Sequence, residues 1–333
     1  LRALVREIRP MGFILFARNV EEPAQVRELN RELAGLVDPH DPAFLAVDQE
    51  GGRVQRVRAP ATVWPPMREV GRAEDQTAKV STAMAQELRA MGFNLNFAPV
   101  ADVDSNPANP VIGDRSFGRD PERVARHVVA FLQAHQAQGV VACAKHFPGH
   151  GDTAVDSHLD LPVVERDRPD LEHTELAPFR AAVQAGVGSV MTSHVMYPAW
   201  DEDWPSTLST RILQGLLRED LGYQGLVFSD DLEMKAVAGR WPLALQVERM
   251  TRASVDVLLC CQDPGLQYAA YQELVRVQED DAGLEQASID AIKRVDATRV
   301  RFFKAEVPPP DPTRIGHPDH RDLALLVRAR GAA

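Results

Sequence analysis

Cysteine is scarce in this chain, and long apolar runs are missing. Only three of the 333 residues are cysteine, and Cys260 and Cys261 are neighbours, so a scaffold built on disulfides is excluded and a reducing compartment is favoured. No apolar run approaches the roughly 18 residues that a membrane helix needs. We therefore predict a cytoplasmic protein without a membrane partner. Because the sequence begins at Leu1 rather than Met, the question whether an N-terminal leader has been removed stays open.

Basic residues are also in short supply. Lysine and arginine number 37 against 48 aspartate and glutamate residues, which gives a net charge of −11, and the cations form no basic run. Phosphate contacts by clustered cations dominate nucleic-acid binding. We therefore expect no nucleic-acid partner.

Short apolar runs alternate with helical patterns along most of the chain. Seven runs have the length of a buried parallel strand, at 12–17, 44–47, 95–100, 140–144, 189–192, 226–228 and 255–260. Helical patterns lie between them, at 80–91, 121–138, 176–185 and 207–221, and each ends at a glycine. Repeated strand and helix units predict an α/β fold with a parallel sheet.

The spacing favours a closed barrel over an open sheet. No GxGxxG fingerprint follows the early strands, so a dinucleotide-binding sheet is disfavoured. A (β/α)₈ barrel takes about 250 residues and eight strands, and seven are visible. We therefore predict a (β/α)₈ (TIM) barrel whose first strand lies upstream of Leu1. Residues 1–333 are expected to form one domain, with an extended and helical C-terminal tail from about 307.

Charged and imidazole side chains follow several of the predicted strands. In α/β barrels the carboxyl ends of the strands carry the working residues, so these side chains are expected to meet. The set comprises Asp48, Glu50, Arg56, Asp102, Arg115, Lys145, His146, His150, Asp156, His158, His194, Asp230 and Asp231.

Three chemistries can use this set. Glycoside transfer needs a carboxylate and a proton donor, which Asp230 or Asp231 and His158 can supply, with Asp156 orienting the His158 ring. Metal-assisted hydrolysis is disfavoured because the chain has neither His-x-His after an early strand nor His-Glu-x-x-His. Schiff-base or phosphate-ester chemistry would rest on Lys145 alone. Taken singly, Asp48 is also compatible with a turn, and His150 and His194 with packing.

Five sequence blocks resemble glycoside hydrolase family 3, and specifically its single-domain β-N-acetylglucosaminidases of bacterial cell-wall recycling. The first is KHFPGHG at 145–151 followed by DSH at 156–158. The others are VDQEGGRVQR at 47–56, FAPVADV at 97–103, IGDRSFG at 112–118 and FSDDL at 228–232. The likeness runs from about Gly12 to about Cys261.

The resemblance implies a retaining exo-β-N-acetylglucosaminidase that needs no metal or other cofactor. Asp230 matches the nucleophile, with Asp231 ranked second, and His158 matches the acid/base, with Asp156 as its partner. Sugar-binding positions are matched by Asp48, Arg56, Arg115, Lys145 and His146. The implied substrate is GlcNAc linked β-1,4 to a muramic-acid sugar of a muropeptide, and we expect a monomer.

Other functions stay open at this point. A broader exo-β-glycosidase and a β-glycoside phosphorylase would use the same residues. A sugar-binding barrel without catalysis is a different class. The presence of both Asp230 and the Asp156/His158 pair argues against it, because an inactive relative would usually have lost one of them.

Overall fold

Nine strands and eleven α-helices make up the regular structure of the residues that the computed structural model describes, which are 2–157, 159–304, 306–307 and 309–331. The strands are β1 Gly12–Leu15, β2 Phe44–Val47, β3 Gln49–Gly51, β4 Val54–Gln55, β5 Leu95–Asn96, β6 Val141–Phe147, β7 Ser189–Thr192, β8 Leu226–Asp231 and β9 Val257–Leu259. The α-helices are α1 Arg2–Ile8, α2 Pro23–Ala34, α3 Met67–Arg72, α4 Thr77–Ala90, α5 Pro121–Ala137, α6 Arg168–His173, α7 Leu176–Gln184, α8 Leu243–Arg252, α9 Pro264–Asp280, α10 Ala282–Phe303 and α11 Pro318–Gly331.

Seven of the strands form one parallel sheet in the order β1-β2-β5-β6-β7-β8-β9. All seven coincide with predicted apolar runs, and the α/β fold with a parallel sheet is confirmed. Buried strands such as β2 and β6 have no exposed residue, because helices cover one face of the sheet and the other face turns inward. The short hairpin β3–β4, which lies directly after β2, was not predicted.

Side chains alternate between two apolar layers along these strands. Phe44 and Ala46 belong to the inner cluster, whereas Leu45 and Val47 pack against the outer helices. The inner cluster also contains Phe97 and Phe228 in edge-to-face contact at 5.2 Å, together with Val295 and Phe302 of α10. The alternation therefore fills the interior of the curved sheet and leaves its carboxyl end for polar residues.

Helices α5 and α7 match the predicted ranges 121–138 and 176–185 to within one residue, and α4 begins three residues before the predicted 80–91. The Asp120 carboxylate accepts a hydrogen bond from the Arg123 N–H at the start of α5, where Pro121 occupies the first turn. Helix α5 then packs between α4 and α7. The helix predicted over 207–221 differs: a 3₁₀ turn, Ser206–Leu208, comes first, and a π-helix covers Arg211–Asp220. The Ser209 hydroxyl accepts from the Ile212 N–H and delays the helix start.

The two edges of the sheet flank a cavity. Within the described residues, β1 and β9 each have one strand neighbour, so the sheet has seven strands and is not closed into the predicted eight-stranded barrel. The cavity between these edges measures about 540 Å³ and is lined by apolar residues that include Phe13, Phe44, Phe97, Phe228 and Leu258. Outside it, α1 contacts α9, so the helical layer continues across the gap.

The C-terminal helix α11 packs on α3 and α4. Its Gly331 carbonyl accepts a hydrogen bond from Arg72, and the His320 ring contacts the buried Glu87 carboxylate at 2.8 Å. Among the described residues, no helix combines the length and apolar character needed to cross a membrane.

Candidate active site

Polar side chains meet at the carboxyl ends of β2, β5, β6 and β8. Asp48 directly follows β2, and Asp102 lies in the loop after β5. Lys145 and His146 are among the last residues of β6, and Asp230 is near the end of β8. Because these strands run parallel and adjacent, residues far apart in the chain converge on one end of the sheet.

A buried lysine binds two carboxylates at the centre of this group. The Lys145 ammonium lies 2.8 Å from Asp48 and 2.7 Å from Glu50. Glu50 also receives a bidentate pair of hydrogen bonds from Arg115, both of 2.8 Å. Burial opposes ionisation of Glu50, but Arg115 and Lys145 outweigh it and hold the pKa of Glu50 well below its ordinary value. The lysine stays charged for the same reason, since Asp48 and Glu50 outweigh its burial and raise its pKa.

Asp48 is the member of this network that reaches the surface of the site. Its second carboxylate oxygen accepts a hydrogen bond of 3.1 Å from Arg56. The side chains of Asp48 and Arg56 are 13% and 28% exposed, against 1% for Glu50. Asp48 and Arg56 can therefore contact a ligand. Glu50 is too buried to do so and instead holds Lys145 and Arg115 in place.

Asp102 organises the start of the loop that follows β6. One of its carboxylate oxygens accepts from the backbone N–H groups of His146, at 3.0 Å, and His150, at 2.8 Å. The other oxygen lies 2.7 Å from His146 Nδ1. With that nitrogen engaged, the opposite edge of the His146 ring is left for other contacts. Burial and the neighbouring His146 lower the pKa of His150 to about 4, so His150 is neutral at pH 7.

Two adjacent aspartates at the end of β8 differ in their electrostatics. Burial opposes ionisation of Asp230, but His194, His146, the Asp231 N–H and Lys145 lower its pKa below the ordinary value. The Asp231 N–H donates to the Asp230 carboxylate at 2.8 Å. Burial instead raises the pKa of Asp231. Asp230 is therefore the better of the two as an ionised carboxylate facing the site.

The loop after β6 returns toward the segment that follows β8. Ser157 accepts a backbone hydrogen bond of 3.2 Å from the Ala236 N–H, and its hydroxyl contacts His150 Nε2 at 3.1 Å. Asp156 precedes Ser157 in this loop. His158, the predicted acid/base, lies outside the described residues.

Two residues of this site were given no role from the sequence. Glu50 and Asp102 were noted only as residues at strand ends, yet they hold Lys145, Arg115 and His146 in place. A signal for Glu50 existed, because Asp48 and Glu50 are two residues apart and share one side of an extended segment. The partner of Asp102 lies 44 residues away, a distance at which sequence spacing carries no contact information. His194, left open between packing and binding, has its Nε2 3.1 Å from the Asp231 carbonyl.

Comparisons with known proteins identify the family. Residues 2–297 match the glycosyl hydrolase family 3 N-terminal domain. A Beta-hexosaminidase of Nitrosomonas eutropha is 38% identical over 290 residues, which cover 85% of this chain and 81% of the relative. The β-N-acetylglucosaminidase structure from Paenibacillus sp. str. FPU-7 has a TM-score of 0.91 at 37% identity, and covers 99% of this chain. This chain spans 64% of that longer protein.

A third relative is a solved NagZ from Neisseria gonorrhoeae, in complex with N-trifluoroacetyl-D-glucosamine. It has a TM-score of 0.75 at 31% identity, with 99% of this chain and 93% of the relative covered. The chain therefore belongs to glycosyl hydrolase family 3, as the sequence blocks indicated, and it is a glycoside hydrolase.

Replacing Lys145 with Met tests the charge network. Removing the cation leaves the buried Glu50 and the partly buried Asp48 carboxylates without the charge between them, so we expect the free energy of unfolding at pH 7 to fall by about 3–5 kcal/mol. Glu50 has a lowered pKa, so its contribution is complete above its ordinary value of 4.5 and is lost as pH falls through the folded value. In Lys145→Met the pKa of Glu50 rises, and the deficit shrinks toward about pH 4.

Urea unfolding of Lys145→Met at both pH values measures this difference. The control is Lys293→Met, because Lys293 pairs with Asp290 on an exposed helix face and should change stability little. Equal deficits for Lys145→Met at the two pH values would contradict the proposed charge state of Glu50.

Proposed function

We propose that the protein is a retaining exo-β-N-acetylglucosaminidase that acts by double displacement. The proposed substrate is terminal GlcNAc linked β-1,4 to a muramic-acid sugar, as in muropeptides released during peptidoglycan recycling. Relatives named Beta-hexosaminidase and a NagZ solved with an N-acylated glucosamine support the sugar. The β-N-acetylhexosaminidase activity rests on these relatives, and the finer assignment rests on the site.

The observation that carries the proposal is the partly buried carboxylate of Asp230 near the end of β8, whose pKa is lowered by the surrounding His194, His146 and Lys145. In the first step its carboxylate attacks the anomeric carbon and forms a glycosyl–enzyme bond. His194, His146 and Lys145 keep the attacking group charged at neutral pH. Asp231 is disfavoured as nucleophile because burial raises its pKa and its carboxylate accepts from the Glu233 N–H at 3.2 Å.

His158 is proposed as the acid/base. It protonates the leaving oxygen in the first step and deprotonates the incoming water in the second. The loop that carries it is supported near the site by the hydrogen bond between Ser157 and Ala236, five residues beyond Asp231. Asp156 is proposed to orient the ring and raise its pKa. His150 is a poorer proton donor. Its pKa of about 4 means that the ring is neutral imidazole, not imidazolium, at neutral pH.

The sugar is proposed to be held by five side chains whose positions agree with that task. Asp48 and Arg56 present partly exposed groups at the surface of the site, and His146 presents a ring held by Asp102. Lys145 and Arg115 are fixed by Glu50. A sugar that lacks one hydroxyl would leave the side chain facing that position without its hydrogen-bond partner. The site would therefore select against such a sugar.

The remaining assignments concern the protein as a whole. We propose one catalytic domain over 1–333 with a C-terminal tail from about 307, in a monomeric, cytoplasmic protein with no nucleic-acid or membrane partner. The seven described strands leave the sheet open, and we also propose that one further strand closes it into a (β/α)₈ barrel. The cavity between β1 and β9, bounded by two unpaired strand edges and apolar side chains, supports this closure.

Alanine substitution of the two aspartates separates their roles. Asp230→Ala should lower kcat by a factor on the order of 10⁴ or more, because the covalent step loses its nucleophile. Asp231→Ala is the matched control and should lose far less, since only local backbone contacts change. Rates on an aryl β-GlcNAc measure both variants. A greater loss in Asp231→Ala would reverse the assignment.

The role of His158 is tested by leaving groups. A nitrophenolate departs without a proton, whereas a sugar alkoxide requires one. His158→Ala should therefore lower kcat on a GlcNAc disaccharide by about 10²–10⁴-fold and on a nitrophenyl glycoside much less. Asp156→Asn should show the same bias with a smaller loss, because the imidazole remains. Equal losses on both substrates would assign His158 to binding or folding and direct the search to another donor.

A further inference from the structure

A buried glutamate lies against the start of the loop that follows β6. Glu175 precedes α7 and is 1% exposed. Gly149 lies so close that a Cβ at this position would be 2.5 Å from Glu175 Oε2, and its φ of +145° is one that glycine tolerates best. The first turn of the loop therefore rests directly on the Glu175 carboxyl.

The Glu175 carboxyl also has polar neighbours from two loops, the one after β5 and the one after β6. The Ser105 hydroxyl donates to Glu175 Oε1 at 2.8 Å and lies 3.4 Å from the Asp152 carboxylate. Arg166 is 3.9 Å from both Asp152 and Glu175. Glu175 Oε2 is buried and makes no hydrogen bond with any residue that the structure describes. The carboxyl is therefore only half satisfied by its neighbours.

The charges around Glu175 favour its neutral form. Burial is the largest influence, and the carboxylates of Asp102 and Asp152 act in the same direction. Ser105 and Arg166 oppose them but do not outweigh them, and the charge of an ionised Glu175 in turn raises the pKa of the buried Tyr197 phenol. Together they raise the pKa of Glu175 to about 8. The carboxyl is thus protonated at neutral pH and ionises in mildly alkaline solution.

We propose that Glu175 is a positioning residue for proton transfer: its neutral carboxyl supports the segment 149–157, which leads to the acid/base His158, and its ionisation releases that segment. This inference rests on the function proposed for His158. An ionised Glu175 would place a buried negative charge against Gly149 and beside Asp152 and Asp102, with Arg166 too distant for a good ion pair.

The sign of the pH dependence follows from the raised pKa. The stabilising contribution of neutral Glu175 is complete below its ordinary pKa of 4.5, declines as pH rises, and is lost above about 8. Above that value, the open form of the segment should become up to about tenfold more populated per pH unit. The proton transfer proposed for His158 should become slower over the same pH range.

Hydrogen exchange of the segment 149–157, corrected for intrinsic chemical rates, tests the proposal without substrate. In the wild type we expect protection to fall by up to about tenfold between pH 8 and 9. Glu175→Gln, which keeps a neutral group of the same shape, should abolish this fall. Ser105→Ala removes a hydrogen bond that favours the carboxylate, so the fall should move to higher pH. The matched control is Glu87→Gln, a buried glutamate held by Thr62 and His320, which should keep the wild-type pH dependence.

Activity provides the second readout. Above pH 8, wild-type kcat on a GlcNAc disaccharide should fall more steeply with pH than kcat on a nitrophenyl glycoside. In Glu175→Gln the two substrates should differ less in this pH dependence of kcat, and KM should change little. A wild-type pH dependence of exchange in Glu175→Gln would overturn the proposal. An enzyme inactive on both substrates whose exchange behaves as expected would instead refute the proposed function and leave the role of Glu175 in the loop intact.

Discussion

The site depends on one buried cation. Lys145 is almost fully buried, and such a charge is tolerated only with close counter-charges, which Asp48 and Glu50 supply at 2.8 and 2.7 Å. Because Glu50 also binds Arg115 and Asp48 also binds Arg56, four neighbours take their positions from this lysine. The same ammonium helps to keep Asp230 ionised. The proposed sugar-binding side chains and the proposed nucleophile therefore share one electrostatic arrangement.

Strand β6 connects this arrangement with the loop that carries the proposed acid/base. Lys145 and His146 are consecutive, so the strand presents one to the carboxylates of the β2 end and the other to Asp102. Asp102 then accepts from the His150 N–H, and the Glu175 carboxyl lies close to Gly149. The loop therefore leaves the strand beside two buried carboxyl groups, and burial raises the pKa of the Glu175 carboxyl. Its course toward Ser157 and Ala236 begins at this point.

Much of the fold could be predicted because buried parallel strands and amphipathic helices leave periodic signals. Each of the seven sheet strands overlaps a predicted apolar run, although β6 and β8 each extend three residues beyond theirs, and α5 begins at the proline where its pattern starts. The hairpin β3–β4 escaped prediction because its residues are polar and its strands have three and two residues. The π-helix at 211–220 has the same apolar spacing as an α-helix of that length, so its winding could not be foreseen.

The site was predictable in its residue types and strand ends, but not in its pairings. Strand order explains why Asp48 and Lys145 could be expected at one edge, although 97 residues separate them. Nothing in the spacing indicates that Glu50, rather than solvent, neutralises Arg115, or that Glu175 lies under Gly149. These contacts depend on side-chain packing in three dimensions.

The claim that Asp230 forms the glycosyl–enzyme bond is the centre of this account. A 2-fluoro glycoside slows both steps of double displacement and allows the covalent intermediate to accumulate. Mass spectrometry of the digested protein should find the sugar on the peptide that contains Phe228–Leu232, and fragmentation should assign it to Asp230. A label on Asp231 or on another peptide, or an active enzyme that is never labelled, would contradict the account.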